Sequence, residues 1–466
     1  MFRPPASFAL LLLAPLAFGA SETPPWPAPP PAVDALVAEA FHSNLALVGE
    51  SLEVERAAAR LAEARSQFLP RVDLLARYSA ADGGRTIDFP VGDLLNGAYG
   101  TLNQFLATQG QPARFPTVSN QSIPLLRSRE QETKLRLTQP LYAPEITRSN
   151  AAARAGLAAR EAQLAAYRRH LRAAVIEAFF RHEQAAAAVA TYRSALELVT
   201  ESLRVNRVLV ANDKTTDDAV LRATAELATV QQQLADAEKD CALARSYVNF
   251  LLNRPLPTLI APLDEAEAER YTAELARAAV PALDAQSREE IAALSSARTA
   301  ARATTEAAQS RQRPSLGLAV ETGIQGESYR TGAGSNYTIG SVVLEWNLFD
   351  GSERRHRVAQ ARIDERQADR ALRETRQQLD LQLQQARDEF STARLALASA
   401  VARRDAARAT YHLVARREAE GIANQLTVLD ARHTLTAAEL NFSITRARLA
   451  IAAAQLDRAS ALTPLP

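Results

Sequence analysis

A short strand that feeds directly into a very long, unbroken helix constrains this chain more than any other feature. The run SVVLEWNLFDGS occupies 341–352, with Val342, Leu344, Trp346 and Leu348 at period two, the mark of a strand with one apolar face. Asp350, Gly351 and Ser352 break that pattern and offer a helix N-cap. No Gly or Pro follows until Gly421. A helix of about 65 residues, at ~1.5 Å rise each, is a rod roughly 100 Å long. That is far beyond the helices of ordinary globular domains.

Composition agrees with a helical rod repeated along the chain. Breakers are few for 466 residues, and Ala, Arg, Leu, Glu and Gln are abundant. The 54 basic residues against 53 acidic give a net charge of +1, which asks for neither nucleic acid nor an acidic substrate. Residues 1–20 read as a secretory signal peptide: Arg3, an apolar stretch from Phe8 to Phe18, then small residues near Ala20. The stretch is too short to span a bilayer, and no other apolar run approaches that length, so an exported chain without a transmembrane helix is expected. Residues 21–32 form a Pro-rich tail, and the lone Cys241 excludes an internal disulfide.

The pattern then runs twice. Residues 33–254 form a first repeat: a helix over Val33–Phe68, an alternating strand from Arg71 to Tyr78, a long loop from Gly83 to Gln131 with at most a short helix near Leu94–Leu106, a strand from Lys134 to Leu141, a long helix over about Glu145–Val210, a turn, and a helix over about Asp218–Asn253. Residues 255–284 form a mixed connector. Residues 285–462 repeat the order, and 463–466 are a tail. A constant offset maps Val428, Leu435, Phe442, Leu449 and Leu456, all seven apart, onto Val220, Leu227, Leu234, Cys241 and Val248. Agreement over this many positions indicates an internal repeat.

Side chains that could carry chemistry are sparse. Cys241 and His182 sit on apolar heptad seams and read as packed residues. The chain has no His-x-x-x-His pair, phosphate loop or nucleophile elbow, so neither an enzyme nor a metal or cofactor site is expected. The strands say more. Four short strands per chain cannot close a sheet, and an open apolar sheet aggregates. Within a membrane only a closed barrel satisfies strand backbones, so the strands must be pooled between subunits. Val72, Leu74, Leu135, Leu137, Leu316, Leu318, Val342, Leu344 and Trp346 are then the lipid-facing set. Arg71, Arg77, Lys134, Arg136 and Glu345 face the lumen, and Tyr78, Tyr142, Trp346 and Phe349 suit an interfacial belt.

Strand, long helix, turn and heptad helix, twice over, resemble the TolC-like outer membrane efflux protein family across nearly all of the chain after the signal peptide. The strand-to-helix junction LEWNLFDG at 344–351 is the most specific part, and LTQPLY at 137–142 resembles the same junction in the first half. Gly421 followed by VLDA at 428–431 is similar to the family's turn and following helix, and LLNRP at 251–255 to its end of the first repeat. The resemblance implies a mainly α fold with a small β part: a homotrimer whose four strands per chain make a twelve-stranded barrel among outer-membrane lipids of a Gram-negative bacterium, continued by a coiled-coil helical barrel in the periplasm. It implies a passive duct for small molecules or proteins, docked to a periplasmic adaptor and an inner-membrane transporter.

The resemblance also places Asp430 at the periplasmic entrance, where the family carries acidic residues, while Thr427 stands where a second Asp is frequent. Asp217 and Asp218 lie near the same level in the first half, with Arg222 and Arg432 as basic neighbours. The turns at Asn212, Asp213 and Gly421 would face the adaptor. Asn212-Asp213 replaces the usual Gly, and these two residue types tolerate left-handed backbone best. Two other readings remain open: a trimeric coiled-coil adhesin or periplasmic scaffold without a pore, which has no need of paired strands, and a periplasmic enzyme on a helical frame, which lacks a motif.

Overall fold

The structure, a computed structural model, describes residues 26–280, 285–420, 422 and 425–465. The signal peptide, Gly421 and Asn424 lie outside the described residues. In chain order the elements are α1 (Pro31–Ser43), α2 (Leu45–Ser66), β1 (Arg71–Ala80), β2 (Thr86–Phe89), α3 (Val91–Thr108), β3 (Gln121–Pro124), β4 (Arg129–Tyr142), α4 (Pro144–Ala211), α5 (Asp217–Leu251), α6 (Glu265–Arg277), α7 (Glu289–Ser310), β5 (Ser315–Gly326), β6 (Asn336–Glu345), α8 (Glu353–Ala419) and α9 (Gln425–Ser460). The long helices α4 and α8 span 68 and 67 residues; the run of α8 holds no Gly or Pro, and α4 continues through Gly156. No described helix is long and apolar enough to cross a membrane.

The chain divides into two units. One holds residues 57–156 and 298–367, and is built on a four-stranded antiparallel sheet in the order β1-β4-β5-β6. Strand lengths exceed expectation: β4 begins at Arg129, and β5 continues to Gly326. The register of β4 on β5 shifts between Pro140 and Tyr142, so Tyr142 and not Leu141 meets Leu316. Proline cannot donate to the ladder, and a local slip there is its usual consequence.

The segment expected as a long loop is an ordered excursion. β2 and β3 pair as a separate ribbon, and α3 runs for 18 residues. Asparagine side chains, seven apart on α3, substitute for a backbone ladder. Asn96 Nδ2 donates to the Val118 carbonyl at 2.7 Å, and its Oδ1 accepts from the Val118 N–H at 2.9 Å. Asn103 accepts from Arg114 and Phe115 N–H, both at 3.1 Å, and donates to the Phe115 carbonyl at 2.8 Å. Glycine is required at position 92, where a Cβ would meet the Val118 oxygen at 2.4 Å.

The other unit takes the described residues of 1–56, 157–297 and 368–466. Its core joins Val33 and Val37 of α1, Val175 and Phe179 of α4, Val248 of α5, Leu275 of α6, Phe390 of α8, and Leu449 and Leu456 of α9. Two features depart from the sequence reading. The first helix is split at Asn44, whose backbone is extended. Its Nδ2 donates to the Leu251 carbonyl at 2.9 Å, while its Oδ1 caps α2 by accepting from Leu47 N–H at 3.0 Å. The connector contains α6, which seats Tyr271 against Phe180 with ring centroids 5.8 Å apart. The Pro-rich tail also docks, through Trp26 on Phe390 at 5.3 Å.

The heptad seam of α5 carries two rows. Val220, Leu227, Leu234 and Cys241 are half-buried, whereas Ala223, Val230 and Ala237, three residues further on, are buried. Alanine lets helix axes approach closely, so the smaller residues occupy the seam's centre. Cys241 accordingly sits at the seam's margin, where burial raises its pKa above the ordinary thiol value. A charged thiol reagent should modify the folded protein much more slowly than the denatured chain, read by mass spectrometry. Equal rates would show that the seam does not shield it.

Candidate channel wall and entrance

The sheet separates two kinds of side chain by strand parity. Pairing aligns Val72 with Leu137 and Leu74 with Leu135, then Leu137 with Val320, and then Leu318 with Val342 and Leu316 with Leu344. Eight of the nine residues expected to face lipid therefore share one face. Val72, Leu74, Leu135, Val342 and Leu344 on it are exposed in the chain. The ninth, Trp346, lies just beyond β6, which ends at Glu345, and its indole N–H donates to the Gln312 carbonyl at 3.1 Å.

The opposite face carries Arg71, Arg77, Lys134, Arg136 and Glu345, and binds its charges together. Lys134 Nζ lies 3.0 Å from Glu132 and 2.8 Å from Glu321. Arg136 Nε meets Glu321 at 2.6 Å, and Arg77 meets Glu132 at 3.3 Å. The Tyr337 hydroxyl donates to Glu132 at 2.8 Å. One network thus links all four strands. The sequence reading named only its bases, although Glu132 and Glu321 share their parity and were legible by that rule. The order β1-β4-β5-β6 leaves β1 and β6 as edges, each with one side unpaired among the described residues.

The junction into α8 is pinned by a guanidinium. Arg354 donates to Asp350 Oδ2 through its backbone N–H at 3.2 Å and its Nε at 2.5 Å, and to the Asn347 carbonyl at 2.5 Å. Gly351 and Ser352 both hold positive φ, +63° and +76°, to turn the chain into the helix.

At the first turn Asp213 takes the left-handed conformation expected of it, with φ +54°. Its N–H donates to the Val210 carbonyl at 2.9 Å, and Asn212 Nδ2 donates to the Val208 carbonyl at 2.7 Å. Asp217 is exposed, and Asp218 pairs with Arg222 at 2.9 Å. The Thr216 hydroxyl, hydrogen-bonded to Asp218, is the chief reason that this carboxyl lies below its ordinary pKa. Asp430 is exposed, and its carbonyl accepts from Thr434 at 3.0 Å. Arg432 turns away: its guanidinium lies 5.5 Å from the Tyr411 ring centroid and reaches Ser194 at 3.4 Å. A contact that sequence did not reveal joins the two helices after the turns, His433 on α9 to Glu226 on α5 at 3.2 Å. Each lies about two turns into its helix, which sets the starts of α5 and α9 at one end of this unit.

The profile described as outer membrane efflux protein matches residues 280–461, the second of the two element series. Over that stretch, which is less than half of its length, the chain is similar to outer membrane efflux proteins. Among curated proteins none matches the chain. Solved structures share its fold. The CmeC outer membrane channel of Campylobacter jejuni is 17% identical, with TM-score 0.73 over 93% of this chain and 86% of that one. The outer membrane protein VceC of Vibrio cholerae is 16% identical, with TM-score 0.71 over 92% and 95%. The open-state MtrE outer membrane channel of Neisseria gonorrhoeae is 19% identical, with TM-score 0.71 over 92% and 88%.

Proposed function

We propose that this chain is an outer membrane efflux channel, that three copies pool their strands into a twelve-stranded barrel in the outer membrane of a Gram-negative bacterium, and that α4, α5, α8 and α9 of each copy continue it as a periplasmic tunnel. The observation that carries this reading is the two-sided sheet with two open edges. A sheet with an exposed aliphatic face and unpaired edges aggregates in water. Closure on itself in lipid satisfies both the edges and the apolar face. Four strands are too few for a barrel; three copies supply twelve, with β1 of one copy against β6 of the next. The aliphatic face then meets lipid, the ion-pair network lines the lumen, and the α3 excursion lies outside the cell.

The assembly is a passive duct that passes small molecules or proteins, driven by an inner-membrane transporter through a periplasmic adaptor that docks near Asn212, Asp213 and Gly421. Threefold symmetry brings three Asp430 carboxylates around the entrance, with Asp217 and Asp218 near the same level. Among the described residues Arg222 is engaged by Asp218 and Arg432 by Tyr411 and Ser194, and neither pairs with Asp430. Clustered carboxylates in a narrow mouth favour cations. Planar-bilayer recordings should show stepwise, cation-selective conductance that multivalent cations block, and Asp430→Ala should weaken both selectivity and block. Absence of discrete conductance steps would favour a scaffold without a pore. Unchanged selectivity and block in the variant would show that Asp430 does not ring the entrance.

A further inference from the structure

The helical unit holds a cavity of about 630 Å³ walled by α4, α8, α9, Tyr247 of α5 and the segment entering α7. Its floor includes Ala173, Ala174, Ala386 and Ala459, side chains too short to fill it. Around it, each carboxylate already has a guanidinium partner. Glu177 is paired with Arg181 and also accepts from Gln455 Nε2 at 3.4 Å. Glu389 pairs with Arg448 at 2.7 Å. Glu290 pairs with Arg288, whose side chain is 2% exposed and which also reaches Gln382 at 3.4 Å. Asp457 is taken by Arg172 at 3.2 Å and by the Thr463 N–H at 2.8 Å.

Arg458 is left over. It lines the cavity, is half-buried, and has no hydrogen bond or ion pair among the described residues. Burial, and after it the Arg288 guanidinium, lower its pKa from the ordinary arginine value. A guanidinium keeps its proton in proteins, so the shift expresses a poorly accommodated charge. Withdrawing an unpaired cation from water is costly, and a carboxylate or phosphate in the fork of the guanidinium removes that cost by paired, charge-assisted hydrogen bonds.

We infer that this cavity binds a small organic anion whose carboxylate or phosphate group is held by Arg458. The Arg288 charge adds attraction while its own fork stays on Glu290, and the Gln455 and Gln382 amides lie within the same lining. The inference concerns the helical unit alone and does not depend on barrel closure or conductance.

Titration calorimetry on the purified full chain in detergent, with benzoate and with inorganic phosphate as probes, tests it. Binding of either probe is expected; benzoate alone would assign organic carboxylates, and phosphate alone phosphorylated compounds. Arg458→Gln should weaken binding at least about tenfold, the loss of one charge-assisted contact. Ala174→Leu should weaken it by occupying the floor while leaving every charge in place. Arg193→Gln, which removes an exposed pair with Glu238 elsewhere on α4, should change nothing. Failure of both probes to bind, or equal binding by Arg458→Gln and Ala174→Leu, would overturn the inference. Dissociation of the oligomer by Arg458→Gln, with no probe binding to the parent protein, would instead assign Arg458 to an ion pair between copies.

Discussion

Outer membranes from cells producing Leu74→Arg should contain almost no assembled protein, whereas Ser341→Arg should assemble like the parent. Leu74 is 70% exposed and lies in a cross-strand row with Leu135. Within one chain its side chain packs on little, so the substitution leaves the helical unit intact. In the proposed barrel it points into hydrocarbon. A guanidinium at mid-depth on the lipid side costs about 2–4 kcal/mol per copy, or about 6–12 per trimer. Ser341 pairs with Ala319 on the face that carries Lys134 and Glu321, so an arginine there joins an aqueous, charged wall. The measurement is the fraction of protein recovered as a heat-modifiable oligomer. Normal assembly of Leu74→Arg together with failure of Ser341→Arg would mean that the sheet is inside out.

Much of this wall was legible because strand parity is a rigid rule. Once Val72, Leu74, Leu135 and Leu137 are placed on one face, every residue between them must take the other. The long helices were equally legible, since no Gly or Pro falls between Glu353 and Ala419 and only Gly156 falls between Pro144 and Ala211. Features that depend on side chains far away in sequence were not. Asn44 breaks the first helix because Leu251, remote in the chain, supplies an acceptor for its amide. Helix α6 is short and lies in the connector after Pro255 and Pro257, and its face is apparent only against Phe180. The excursion around α3 lacks hydrophobic periodicity because asparagine amides, and not apolar contacts, close it. Sequence adjacency set Arg432 beside Asp430, but it gave no sign that within the chain the Arg432 guanidinium lies over the Tyr411 ring. Its neighbour His433, by contrast, reaches Glu226 across the bundle.

The largest loss of stability within the helical unit should follow Arg172→Met. Arg172 and Asp457 form an ion pair at 3.2 Å with both side chains 10% exposed, so neither charge has water as an alternative partner. Asp457 also accepts from the Thr463 N–H, which ties the chain end to the core. Removing one member of a buried pair strands the other and costs about 3–5 kcal/mol. Arg172→Met with Asp457→Leu removes both charges and should recover most of that loss, because well-packed apolar side chains replace a buried pair at little net cost. The variant's pH dependence follows from Asp34. Burial raises the pKa of Asp34 and the Arg172 charge opposes that rise, so deleting Arg172 raises it further. A carboxyl with a raised folded pKa binds its proton more tightly when folded, and the cost of its charge is felt above that pKa. The deficit of Arg172→Met relative to the parent should therefore be largest near neutrality and narrow as pH falls through the folded pKa of Asp34. Chemical denaturation of the helical signal at neutral and mildly acidic pH measures both effects. A single variant as stable as the parent, or a double variant no better than the single, would show that the pair is not what holds α4 to α9.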